Sequence, residues 1–202
     1  MLRRIIVFGA VIVTAGCSAE QPVPTDFEVS VPLFVKGGNT ANNLGTHLNG
    51  EEEVPARETP ATGQAIFRIS GTSVEFRLIA SNINNINQAH IHCGDPGVVG
   101  PISIWLWPVI GVPAVTPTLV NGSGPHNGVL ASGSFSLAGV NCPTSTVAGV
   151  PSGMPVLDAI RAGRTYVNVH TNDGIAPTNT GPGDFPGGEI RGAIDHSSPH
   201  AP

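Results

Sequence analysis

A chain of 202 residues is long enough for one domain with a substantial hydrophobic core, so a single core is sought. With 26 Gly, 19 Pro and only 11% charged residues, it lacks the Glu/Lys/Ala-rich stretches that long helices need, which leaves an all-β fold as the expectation. A formal charge of -5 argues against nucleic acid as a partner.

At the N-terminus, Arg3 and Arg4 precede the apolar run Ile5 to Val13, and the small residues Thr14, Ala15 and Gly16 lead into Cys17. This reads as a lipobox, with Thr14 where Leu is more usual. A signal peptidase needs small side chains before the scissile bond, and the cysteine thiol would then receive a diacylglycerol. The apolar run is far shorter than the ~20 residues a spanning helix needs. Residues 1–16 are therefore expected to be a lipoprotein signal peptide, with lipidation at Cys17 and a membrane as partner. Ser18, not Asp, follows the cysteine. In a two-membrane bacterium that favours the outer membrane, facing the periplasm or the cell surface. Loss of Arg3 and Arg4 with the signal would take the charge from -5 to -7, leaving a more acidic mature chain.

Residues 17–45, with Pro22, Pro24, Pro32, Gly37 and Gly38, read as the lipidated N-terminus and a linker, although Phe27 to Val35 alternates enough for a strand. The domain is expected over 46–195. Its clearest strands are Gln64 to Ser70 and Ser73 to Ala80, which alternate strictly and are joined by Gly71 and Thr72 as a hairpin. The polar run Ser81 to Gln88 is expected to end it. Ala89 to His92, Ile102 to Trp107, Val129 to Leu137, Thr165 to Thr171 and Glu189 to Ile194 are further short strands. One helix is expected from Pro155 to Ala162, with Val156, Leu157 and Ile160 on one side and Gly163 as its stop. The fold class expected is an antiparallel, Greek-key-like sandwich or barrel with one short helix. The tail 196–202 is expected to be disordered. Cys93 and Cys142 remain as a candidate disulfide, which an oxidising compartment would allow, or as two separate buried thiols.

In Ala89-His90-Ile91-His92 the histidines sit at i and i+2, which on a strand puts both imidazoles on one face. Tyr166, Asn168 and His170 share a face of a later strand, while Val167 and Val169 share the other. If the two strands are neighbours, three imidazoles converge on the outer wall of the sandwich. That donor set suits copper, zinc, iron or manganese. The alternative is three separately hydrogen-bonded strand histidines. His47 and His126 are candidate fourth ligands or solvated loop residues. Glu189 and Arg191 offer a carboxylate and a guanidinium on one face, with a structural ion pair or turn anchor the favoured reading. Asp95 and Asp184 lie in Gly-rich loops and carry weaker claims.

Four motifs in order extend this reading: Leu48-Asn49-Gly50 with Glu53-Val54-Pro55, Ala89-His90-Ile91-His92-Cys93-Gly94, Tyr166-Val167-Asn168-Val169-His170-Thr171, and Gly187-Gly188-Glu189-Ile190-Arg191-Gly192. Together they resemble the CHRD (chordin-repeat) domain over about Thr46 to Ile194. That resemblance implies an extracytoplasmic β-rich module without naming an activity. A weaker likeness is to copper/zinc superoxide dismutase. By that analogy His90, His92 and His170 would hold a redox metal and Arg191 would guide an anion, but the dense zinc loop of that family is missing. Two functions of different class follow: a metal-binding module, with a dismutase-like redox enzyme as its catalytic variant, and a non-catalytic module that binds another envelope protein.

Overall fold

The hairpin around Gly71 and Thr72 forms as the alternation requires. In the computed structural model, which describes residues 43–112 and 117–195, strands β2 (Thr62–Ser70) and β3 (Ser73–Asn84) pair antiparallel. Ala65, Phe67 and Ile69 meet Leu78, Phe76 and Val74 on the inward face. Gly71 at φ +61 supplies the left-handed residue of the turn. The signal peptide, Cys17, the segment Phe27 to Val35 and the tail from His196 lie outside the described residues.

Strand β1 (Asn43–Asn49) lies against β2 and was not among the expected strands; its pairing is already in place ahead of Thr46. Only Leu44, Thr46 and Leu48 turn inward, and Gly45 and the flanking Asn43 and Asn49 are poor strand formers, so pairing outweighs local propensity here. The polar run after Ala80 does not end β3. Asn82 adopts φ 54, the register against the next partner shifts, and Ile83 returns to the core.

Strands β4 (Ile86–Cys93) and β6 (Pro125–Ser136) begin earlier than the apolar pattern suggests, whereas β5 (Ile102–Trp107) and β7 (Thr165–Thr171) keep their expected limits. Strand β8 is shorter, Ile190–Ala193. The helix α1 (Val156–Arg161) buries Val156, Ala159 and Ile160, with Leu157 only partly covered, and Gly163 at φ +66 follows it. No helix among the described residues is long and apolar enough to cross a membrane.

All pairings are antiparallel, in the order β5-β4-β7-β8-β1-β2-β3-β6. The outermost strands β5 and β6 approach each other, so the sheet is a nearly closed barrel. Near this seam, a Cβ on Gly133 of β6 would come within 2.7 Å of the Ile110 Cδ1, an exposed side-chain end that can move aside. Inside, Phe67 stacks on Phe76 with ring centroids 6.5 Å apart, and Phe135 packs tilted against Phe76 at 5.8 Å, among aliphatic neighbours. Each buried side chain of this kind contributes roughly 1.5–3 kcal/mol. Cys93, at the end of β4, is bridged to Cys142, their Cα atoms 5.8 Å apart.

A candidate metal centre

The core alternation of β4 and β7 fixes the other face of both strands. Ala89, Ile91 and Cys93 point into the core, as do Val167 and Val169, so His90, His92, Tyr166, Asn168 and His170 lie on the outer wall. The two strands are neighbours, with Gln88 opposite His170, His90 opposite Asn168 and His92 opposite Tyr166. This adjacency brings the three imidazoles together: one ligand atom from each lies within 4.8 Å of the others. Their ring centroids are 5.4, 5.0 and 5.9 Å apart, and His90 Nδ1 sits 3.2 Å from His170 Nε2.

The outer wall is not open to solvent here. His90 is 0% exposed, and His92 and His170 are 6% exposed. The edge of His90 meets the Trp105 ring 4.2 Å away, and His92 stacks on Tyr166 at 4.8 Å. Two loops complete the cover. His92 Nδ1 lies 2.9 Å from the Gly100 carbonyl, and His170 Nδ1 lies 2.9 Å from the Pro186 carbonyl. A carbonyl only accepts, so both Nδ1 atoms carry the proton and both Nε2 atoms keep a lone pair.

Burial holds all three imidazoles neutral. It pushes His90 down to about 2, with the neighbouring His170 and His92 adding to the effect. It pushes His92 down to about 3, helped by His170 and Arg191 against the Gly100 hydrogen bond, and His170 to about 4 against the Pro186 bond. Neutral imidazole is the form that binds metal. His90 Nε2 and His92 Nε2 are buried without a hydrogen-bond partner. A cation would satisfy them, and the backbone carbonyls behind His92 and His170 are the outer partners that metal-bound histidines require. The residues therefore fit a metal ion.

The other sequence candidates stand elsewhere. His47 is exposed on β1, and His126 Nε2 contacts the Gly128 carbonyl at 3.2 Å; neither joins the cluster. Arg191 is buried, its guanidinium 3.4 Å over the Tyr166 ring and donating to the Val98 carbonyl at 2.9 Å. Glu189 precedes β8 instead of lying within it, so it shares no strand face with Arg191. It accepts hydrogen bonds from Thr59 at 2.5 Å, Thr171 at 2.6 Å and the Gly183 N–H at 2.8 Å, which makes it a turn anchor. Asp95 is gripped by Arg164 through two bonds of 2.5 and 3.1 Å, and Asp184 accepts from Thr180.

Two neighbours of the cluster escaped the sequence reading as site residues. Trp105 alternates with the core residues Ile104 and Leu106, a pattern that assigns it to the histidine face once β5 is paired with β4. Glu53 ends the run Glu51-Glu52-Glu53, which resembles a solvated charge run. It is nevertheless buried and accepts from Asn168 at 3.5 Å, and burial raises it to about 7 against the pull of Arg191. The motif Glu53-Val54-Pro55 sets it apart from Glu51 and Glu52, but nothing local signals its burial.

No curated protein and no solved structure matches the chain. The family defined as the CHRD domain matches residues 44–194, which spans β1 to β8 and all three histidines. The chain belongs to the CHRD-domain family.

Proposed function

We propose that this CHRD-domain protein is exported, held on a membrane by a lipid on Cys17, and binds one transition-metal ion through His90, His92 and His170. The observation that carries the metal reading is the pair of buried, unpartnered Nε2 atoms on His90 and His92, facing a third neutral imidazole. Three nitrogen donors without a carboxylate fit copper, zinc or iron and argue against manganese, which prefers oxygen ligands. Export is supported by the lipobox Thr14 to Cys17 and by the Cys93–Cys142 bridge, because disulfides persist in oxidising compartments.

The loops over the imidazoles favour a held metal over one that meets a substrate. Superoxide dismutation would need an open coordination position and a metal that changes oxidation state. A module that binds an envelope protein remains the reading to adopt if no metal is bound. The test is elemental analysis of the full chain isolated from its membrane fraction beside a His90→Ala/His170→Ala variant. About one equivalent of metal, lost in the variant, is expected. Metal absent from both, after reconstitution with copper, zinc and iron, would overturn the reading.

A further inference from the structure

The three imidazoles converge where net charge is poorly tolerated. All are buried, Trp105 and Tyr166 pack against them, and no carboxylate joins the donor set among the described residues. The charged side chains packed on this face, Glu53 and Arg191, carry opposite formal charges and at best offset one another. An ion taken up here keeps its whole charge in a desolvated pocket. The solvation lost on burial grows with the square of the charge, so a divalent ion loses about four times as much as a monovalent one. The donor set points the same way only because the pocket is covered. Zinc(II) on three protein ligands takes water as its fourth, which the Trp105 and Tyr166 rings and the loop through Gly100 disfavour here, and copper(II) favours a tetragonal set.

We infer that the site selects the monovalent ion copper(I) over zinc(II) and copper(II). This rests on the metal-binding reading above and adds the charge of the ion. A filled d shell frees copper(I), as it does zinc(II), from the tetragonal preference of copper(II), and neutral imidazole suits copper; against zinc(II) the discrimination is the charge of the ion. The Trp105 and Tyr166 rings and the loop through Gly100 keep water from competing for the ion.

The experiment uses the full chain with Cys17→Ser, which removes the one cysteine outside the disulfide, a competing copper(I) ligand in any chain that is not lipidated. Copper(I) affinity is measured anaerobically against bicinchoninate, and zinc(II) and copper(II) affinities against chelators of known strength, on this chain and on a His170→Ala version. Silver(I), a redox-inert monovalent probe, is titrated into the ¹⁵N-histidine-labelled chain, so that ligands are identified without relying on a variant's folding. One copper(I) per chain is expected, bound on the order of a thousandfold tighter than zinc(II), weakened by His170→Ala, with silver shifting the His90, His92 and His170 resonances. Zinc(II) or copper(II) bound as tightly at these histidines would overturn this inference and leave the metal reading standing. Failure of all three ions to bind, with unshifted imidazoles, would overturn both. Copper(I) bound equally by His170→Ala, with the three imidazoles unshifted, would place the ion elsewhere and also overturn both.

Discussion

His90 Nδ1 lies 3.2 Å from His170 Nε2 although 80 residues separate them in sequence. The contact exists because β4 and β7 are paired, and it sits on the wall opposite the core. The expected outcomes below follow from that buried cluster and from the two loops that close over it.

The stability of the metal-free chain should fall with pH from about 6.5 toward 5. The folded imidazoles lie at about 2, 3 and 4, below their ordinary 6.5, so in this window the unfolded chain binds protons that the folded chain refuses. Their contribution is complete above 6.5 and is lost as pH falls through the folded values. Glu53 acts oppositely: raised from 4.5 to about 7, its contribution is complete below 4.5 and lost as pH rises through 7. Near pH 5 the three imidazoles outweigh the one carboxyl by ~2 protons, a slope of up to roughly 3 kcal/mol per pH unit. Urea denaturation in the presence of chelator checks this, and a flat or inverted dependence between pH 5 and 6.5 would contradict it.

Glu189→Gln should weaken both fold and site. The carboxylate accepts from two hydroxyls and one backbone N–H, and an amide would turn a donor toward one of them. A loss of about 2–3 kcal/mol is expected. Because the Gly183–Glu189 turn also carries the Pro186 carbonyl behind His170, metal affinity should fall by on the order of tenfold. Glu58→Gln, at an exposed position, should change neither quantity. Equal behaviour of the two variants in denaturation and metal titration would count against the anchor.

Replacing Cys93 and Cys142 together by Ala removes a bridge that spans 49 residues. The chain-entropy treatment gives a loss of roughly 4 kcal/mol for a loop of this size. Guanidinium denaturation of the double variant beside the parent reads this directly. A change below about 1 kcal/mol would show that the bridge constrains the unfolded chain little.

The parts legible in sequence are those governed by strict alternation. Gln64 to Ser70, Ser73 to Ala80 and Thr165 to Thr171 declare their inward and outward faces residue by residue, and the His-x-His pair is placed on the outer wall by Ile91 between them. Strand β1 is not legible because Gly45 and the flanking asparagines dilute its pattern, and β2 supplies the pairing that local propensity does not. Burial of the histidines is equally hidden. It depends on Gly100 and Pro186 arriving from distant loops, and alternation reports which face a residue occupies but not what later covers that face. Arg191 illustrates the same limit, since it meets Tyr166 only through the pairing of β7 with β8, and Val98 only through a loop distant in sequence.

The most direct test of the metal centre is anomalous diffraction from crystals of the metal-loaded full chain. The account predicts one anomalous peak bounded by His90, His92 and His170, about 2.0–2.1 Å from an imidazole nitrogen of each, with the Gly100 and Pro186 carbonyls still on Nδ1 of His92 and His170. A peak elsewhere, with His90 and His170 still hydrogen-bonded to each other, would contradict it.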